Sequence, residues 1–435
     1  MELRALGQDI LLHILIILDV YSLLQVSRLS HFYNDLVHIK QVWLAVLGRL
    51  GALGRVDLPA DKVLDSLTSK EIIEQIKRAV VGPHTWHGQA LPLIDVELSL
   101  DLNFLPLVCG LAPGGRYIFA MDTQQIQLFT IDSTQPLWSW KVMEQGPEGF
   151  PSLVQLQGLA TGPIMSIVAM DLNGGTHILA LKLDWESGLS SRILHLYTGV
   201  TVVCALSVWD NILVFEISAG LLLLNWVRME YVLWKEPTHA EGSYAFSSGY
   251  LFHLTPLGVC VCPISSFDGL WRSLVDFQPD DIPSTPCVLN APTAVRMVLP
   301  QYNGPGWKLL IAQGHPLHLD EYVIVLGRLR GNTKAVHRYR LKLSPIPLVS
   351  LQSTLEYPLQ SVISDTGYGL MVTETDIVAF HPSRSKRNMF GLKKQIQTKL
   401  LPRPPQLATL GFYSGAVTTC AQSMNGSKLG IHKYI

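Results

Sequence analysis

The chain has 435 residues, 48% of them hydrophobic and 15% charged, enough for two to three domains at ~150 residues each and for sizeable cores. Its 33 basic and 34 acidic residues nearly cancel, which removes any whole-chain electrostatic argument for nucleic acid or an anionic membrane surface. The mean hydropathy of +0.27 raises the question of a membrane span, but the uncharged stretch Gly242 to Phe267 carries Gly249, Pro256, Gly258 and Pro263, which suits strands and turns rather than the ~20 apolar residues of a membrane helix.

From Asp9 to Val81 apolar residues recur at helical spacing: Ile10, Ile14, Ile17 and Leu18 share one face, with Leu11 and Leu15 beside them. Ser22 followed by Gln25 is a capping-box pattern and predicts a helix start. Thr68 with Glu71 repeats the device ahead of Ile72, Ile73, Ile76 and Val80, and Gly82-Pro83 ends that helix. Met1 to Leu6 contains Glu2, and no small-residue cleavage site follows the apolar run Ile10 to Leu18, so a secretory signal is not expected.

Beyond Trp86 the period changes to two, most clearly over Val96 to Leu102, which predicts a strand. Short apolar runs follow, among them Tyr117 to Met121, Ile126 to Ile131, Ile164 to Met170, His177 to Leu183, Arg192 to Tyr197, Val200 to Val208, Ile212 to Ile217 and Leu221 to Val227. Pairs such as Asp122-Thr123, Ser187-Gly188, Asp210-Asn211, Gly331-Asn332 and Asn425-Gly426 supply the residues that tight hairpins need at positive φ. A helical segment is expected only at Lys393 to Leu400. Short strands over ~350 residues must close on themselves or repeat radially, because one open sheet of that size would leave long edges. The expected fold class is therefore α+β multidomain: a small helical unit over 1–50, a helical linker over 51–89, and a large all-β domain over 90–435. A β-propeller of about seven blades at ~40 to 50 residues each fits that domain, with a pair of β-sandwiches as the alternative. Trp209-Asp210 is the one Trp-Asp dipeptide, so no repeated WD signature is present.

Few constellations carry chemistry. The six cysteines lie mostly in apolar runs and read as buried free thiols of a reducing compartment; Cys260 and Cys262 fall on one face of a strand. His84 with His87, and His315 with His318, lack the further ligands that structural zinc requires, and packing is the simpler reading. Asp171, Asn173 and Gly175 resemble a calcium loop without its closing glutamate and read as a hairpin turn. Asp280-Asp281 and Asp320-Glu321 read as solvated loops. No nucleophile elbow, phosphate loop or dinucleotide fingerprint occurs, so no catalytic residue, cofactor site or metal site is assigned. The basic run Ser383 to Arg387, with Lys393, Lys394 and Lys399, reads as a solvated connector ahead of Pro402 to Pro405. Arginines are dispersed except for Arg328, Arg330, Arg338 and Arg340, the one patch in which to seek an acidic ligand. Ten tryptophans and few charges predict a binding face built on apolar anchors.

The stretch from Leu6 to Trp43 resembles the F-box, the motif by which F-box proteins dock onto the Skp adaptor of cullin-based ubiquitin ligases. Leu6-Gly7, Asp9, Ile14-Leu15, Leu18-Asp19, Leu23-Leu24, Leu29-Ser30-His31-Phe32, Leu36 and Val42-Trp43 occupy the motif's places in order, with Gly7 where proline and His31 where arginine are usual. An F-box ahead of a large β domain is also similar to the layout of many fungal F-box proteins. The resemblance implies adaptor contacts through Leu6, Ile10, Ile14, Leu15, Leu18, Leu23, Leu24, Leu29, Phe32, Leu36 and Trp43. It also implies a cullin bound through the adaptor, a protein substrate held by the β domain, no chemistry in this chain, and a cytoplasmic or nuclear location without nucleic-acid or membrane partners. Two other readings stay open: a scaffold whose helices merely pack on the β domain, and a propeller enzyme with a site built from scattered loops.

Overall fold

The computed structural model describes residues 6–53, 55–56, 64–81, 94–111, 117–130, 133–141, 150–159, 162–170, 175–184, 187–198, 202–217, 220–235, 244–277, 294–304, 306–315, 317–330, 333–344, 346–358, 361–363, 369–372, 377–380, 393–396, 407–410, 416–423 and 426–434. Five helices come first: α1 (Gln8–Ile17), α2 (Val20–Ser27), α3 (His31–Val37), α4 (Lys40–Ala52) and α5 (Ser69–Val81). Helix α2 begins one turn earlier than the Ser22-Gln25 pattern predicts. Asp19 takes the cap, its Oδ1 accepting from Ser22 N at 2.7 Å, because a carboxylate three residues ahead satisfies that orphan amide before the serine hydroxyl can cap a later one. The second capping box forms as expected: Glu71 Oε2 accepts from Thr68 N at 2.8 Å, and Thr68 Oγ1 accepts from Glu71 N at 3.3 Å.

The helices share one core. Leu11, Leu15, Leu23, Leu36, Val42, Trp43, Val46 and Leu47 meet Val56, Leu67, Ile72, Ile76 and Ala79. The segment expected as a linker over 51–89 thus supplies part of the helical core, and its described residues belong to the unit rather than to a spacer. The reason is the amphipathic α5, whose Ile72 and Ile76 are buried and whose Lys70 and Lys77 face outward.

From residue 94 the described chain is mostly strand, arranged as seven antiparallel sheets. The first holds Val108–Leu111, Tyr117–Met121, Gln125–Thr130 and Pro136–Lys141; the second Phe150–Leu159, Gly162–Met170, Thr176–Leu183 and Ser190–Thr198. The third holds Val202–Trp209, Ile212–Ile217, Gly220–Asn225 and Glu230–Lys235, with Arg272–Ser273 added at its edge; the fourth Tyr244–Ser247, Tyr250–Thr255, Gly258–Pro263 and Val295–Val298. The fifth is built of Lys308–Gly314, Glu321–Arg330, Thr333–Lys342 and Leu348–Pro358, and the sixth of Ser361–Ile363, Gly369–Val372, Ile377–Phe380 and Lys393–Ile396. The seventh joins both ends of the β region: Leu407–Leu410, Ala416–Ser423 and Gly426–Tyr434 are completed by Ile94–Leu102, with Leu98 opposite Ile431 and Leu100 opposite Leu429.

Separate cores lie between the first and second, second and third, third and fourth, and fourth and fifth sheets. The opening strands of neighbouring sheets also touch, Val202–Trp209 lying against both Phe150–Leu159 and Tyr244–Ser247, and Val108–Leu111 lying against Leu407–Leu410. The first five sheets thus follow one another face to face, the second, third and fourth each packed between two neighbours, unlike the two facing sheets of a sandwich. At the first hairpin of the third sheet Asp210 takes φ of 48°, the left-handed turn that Asp210-Asn211 predicts.

The helix expected at Lys393 to Leu400 is instead the strand Lys393–Ile396, paired with Ile377–Phe380; edge pairing overrides the weak helical preference of a short lysine-rich segment. Residues 397–400 fall outside the described residues, as do His84, His87, Asp171, Asn173, Asp280, Asp281, Ser383 to Arg387 and Pro402 to Pro405. Glu321 is no solvated loop residue. It is 8% exposed and pairs with Arg340, while Asp320 faces Lys342 at 3.6 Å.

Candidate docking face and its anchorage

The residues that the F-box resemblance assigns to adaptor contact divide into two groups. Leu15, Leu23, Leu36 and Trp43 are buried in the helical core, Leu6 and Leu18 are half-buried against it, and Ile14 is half-buried. Ile10, Leu24, Leu29 and Phe32 are exposed, and Ile17 and Tyr21 are exposed with them. Helices α1 to α3 and the turn between α2 and α3 therefore leave six large apolar side chains in solvent, Ile17 and Leu29 at 68% each, although a buried core lies beneath them. Ile17 and Tyr21 lie outside the residues that the motif assigns. The signal for Ile17 is its helical spacing from Ile10, seven residues on the same face.

Two arginines of the unit hold this face in place. Arg49 on α4 closes the end of α1: its Nη1 donates to Ile16 O at 3.1 Å and Ile17 O at 2.8 Å, and its Nη2 donates to Leu18 O. Three carbonyls that a helix end leaves without partners are thereby satisfied by a cation, the charge that a C-terminus favours. Burial lowers the Arg49 pKa from its ordinary value, and the nearby Asp19 carboxylate opposes that shift.

Arg55, just past α4, reaches into the β region and is 1% exposed. Its Nη1 donates to His315 O at 2.9 Å and His318 O at 3.0 Å, its Nη2 to Leu319 O at 2.9 Å, and its Nε to Ser248 Oγ at 3.3 Å. Ser248 Oγ donates in turn to Leu53 O at 2.7 Å, and the guanidinium lies 5.0 Å over the Tyr322 ring. Gly314 makes the approach feasible, since a Cβ there would meet the guanidinium. Around this anchor Leu317 enters the helical core, Tyr21 N donates to Leu317 O at 3.3 Å, and His318 packs against Tyr21 with ring centroids 4.8 Å apart. His318 Nδ1 also lies 3.9 Å from Asp19 Oδ2. The pair His315 and His318, whose spacing raises the question of a metal, is thus part of the contact between helices and sheets, their rings 5.6 Å apart. Among the described residues no group of three histidine, cysteine or acidic side chains is placed to hold a metal ion.

The arginine patch is divided by the strand register. Arg328 stands opposite Ala335 and Arg330 opposite Thr333, whereas Arg338 stands opposite Val325 and Arg340 opposite Val323, so the two pairs take opposite faces of the fifth sheet. Arg340 is committed to Glu321, and Arg328 Nη1 donates to Asn303 Oδ1 at 3.2 Å. Cys260 and Cys262 share a face as expected and are buried, as is Cys109. The Cys260 thiol is brought down to about 7 by its hydrogen bond with Cys262, which outweighs burial and acts together with Arg296. A cleft lined by Tyr231 to Trp234 and Gly269 to Arg272 encloses about 90 Å³, far below the ~300 Å³ at which small-molecule sites begin.

No protein-family model matches the chain, and no curated protein matches it. Among solved structures it is similar to the WD40 domain of SCAP from fission yeast, at 11% identity and a TM-score of 0.39 over 75% of this chain and 84% of that one. It is similar to Kluyvelomyces marxianus Hsv2 at 10% identity and a TM-score of 0.38, over 74% of this chain and 94% of that one. An oligogalacturonate lyase in complex with manganese matches at 6% identity and a TM-score of 0.33, over 75% of this chain and 76% of that one. Likeness at this level carries no argument about family, ligand or activity.

Proposed function

We propose that the protein is the substrate-recognition adaptor of a Skp-cullin-F-box ubiquitin ligase. In this reading the β region is a closed propeller of seven blades whose loops hold a target protein, and the helical unit docks the Skp-type adaptor and through it the cullin. Ubiquitin transfer takes place on other subunits, in the cytoplasm or nucleus. The observation that carries the reading is the set of exposed apolar side chains Ile10, Ile17, Tyr21, Leu24, Leu29 and Phe32, all within the stretch that resembles the F-box. A unit that already has a buried core gains nothing in isolation from six large apolar groups in water, whereas a partner surface gains from each one buried.

The test is co-purification of the full chain with a Skp-type adaptor, compared with an Ile10→Asp, Ile17→Asp double variant. Both positions are exposed, so folding is preserved while a buried interface would receive two unpaired charges. Capture by the native chain and its loss in the variant are expected. Equal capture by both would overturn the assignment of this face. A second reading, a scaffold without ligase coupling, draws on the Arg55 anchorage, which fastens the helices to the sheets as a cap. Failure of the native chain to capture any Skp-type adaptor would favour it.

A further inference from the structure

The outer strand of the second sheet, Ser190–Thr198, carries a cluster that the docking reading does not use. From Leu194 to Thr198 buried and exposed residues alternate strictly, Leu194 and Leu196 packing toward the third sheet while His195 and Tyr197 face the other way. Continued unbroken, that alternation would turn Arg192 to the side of Leu194. A register shift intervenes: Ala180 pairs with Leu194, but Leu181 pairs with Arg192. Leu181 faces the first sheet, so the bulge moves Arg192 onto the side of His195 and Tyr197. His177, opposite Tyr197 on the neighbouring strand, completes the group. Its Nδ1 lies 3.1 Å from His195 Nε2, its ring is 5.4 Å from that of His195, and the Tyr197 ring is 4.8 Å away.

A guanidinium fork, two imidazoles and a phenol thus gather on an exposed edge. The spacing of the imidazole nitrogens would also suit a transition metal, which binds neutral imidazole at ~2.0–2.1 Å. Charge decides between the two. The third member of the group is Arg192, a permanent cation with no lone pair to ligate, which the bulge places on the same side as the imidazoles, so the site repels a metal ion and draws an anion. We propose that Arg192, His195 and His177 form a binding site for a phosphate monoester, with the fork of Arg192 and the two imidazoles as its donors and Tyr197 flanking it. A dianion matches this set because it offers several acceptor oxygens to the guanidinium and draws one shared proton onto the hydrogen-bonded imidazole pair, so that each ring carries an outer N–H donor. The site is independent of adaptor docking.

The test is a titration of the full chain, labelled with 15N at histidine, with inorganic phosphate and separately with phenyl phosphate, followed through the imidazole nitrogens. Two ring signals, identified by their absence in His177→Gln and His195→Gln, are expected to shift saturably with phenyl phosphate. Arg192→Ser, an exposed substitution, is expected to weaken that binding about tenfold. No saturable shift in the native chain, an equal shift with chloride at matched ionic strength, or undiminished binding by Arg192→Ser would each overturn the proposal. Binding of inorganic phosphate alone would overturn the assignment to a monoester. Zn2+ binding at the two histidines without a phosphate response would show a cation site instead.

Discussion

Arg55 and Gly314 should behave as one lock. Arg55→Ala removes a buried guanidinium from three main-chain carbonyls and Ser248 Oγ, leaving the oxygens of His315, His318 and Leu319 to find other donors. Charge-assisted bonds contribute ~1.5 to 3 kcal/mol each but are not additive within one group, so the whole substitution is expected to cost about 3 to 5 kcal/mol. Gly314→Ala attacks the same contact from the other side. Its Cβ would fall 2.5 Å from Arg55 Cζ and 2.8 Å from Nη2, so the guanidinium must leave its cage and the cost is of the same order. Gly314 is not in the left-handed region, so the backbone itself accepts alanine. With Arg55 already truncated, Gly314→Ala should add nothing, and the double variant should be no less stable than Arg55→Ala alone. The assay is native-state hydrogen exchange over residues 40–56 and 314–321, where 3 to 5 kcal/mol appears as about two to three and a half decades of faster opening. Costs that simply add in the double variant would refute the lock, whatever the outcome of adaptor capture.

Thr68→Ala removes the hydroxyl half of the capping box on α5 and is expected to cost about 1 kcal/mol by denaturant titration of the helical signal; no change would mean that Glu71 alone holds that end. Burial pushes Tyr322 up to about 12 from an ordinary 10.0, with Arg55 pulling the other way. Its folded value lies above its unfolded one, so the associated stability is intact below pH 10 and is lost as pH rises toward 12, amounting to about 3 kcal/mol for two pH units. Tyr322→Phe should reduce the loss of stability across that window, leaving the part due to Tyr339, which burial also raises to about 12; an unchanged slope would contradict this.

The parts of the fold legible in the sequence are those decided within a few residues. Alternation over Val96 to Leu102 marks a strand because a two-residue period needs no knowledge of the partner, and Tyr117–Met121 is bounded as its apolar run predicts. The pairing of Ile94–Leu102 with Gly426–Tyr434 spans the whole β region, yet it follows from edge avoidance: the first strand and the last each need a partner. The local readings that failed were decided elsewhere. Lys393–Ile396 is a strand because Ile377–Phe380 offers it an edge, and Ser22 loses the cap to an aspartate three residues before it.

The two arginine sites were illegible for a different reason. Arg55 sits in a short polar segment between helices, and nothing in Arg55-Val56-Asp57 distinguishes a guanidinium caged by carbonyls more than 250 residues away from one in water. Burial of such a group is set by the acceptors that surround it, and main-chain carbonyls leave no residue-type signature. Arg192 is hidden by parity. Counting alternate residues from His195 puts it on the far side of its strand, and only the bulge opposite Ala180 and Leu181 returns it. The dense run Arg328, Arg330, Arg338 and Arg340 failed as a patch for the converse reason, since the hairpin register sends equally spaced residues to opposite faces. A cationic site on a sheet is therefore specified by register more than by composition. Here one shifted pair gathers an arginine and two histidines where four arginines close in sequence do not converge.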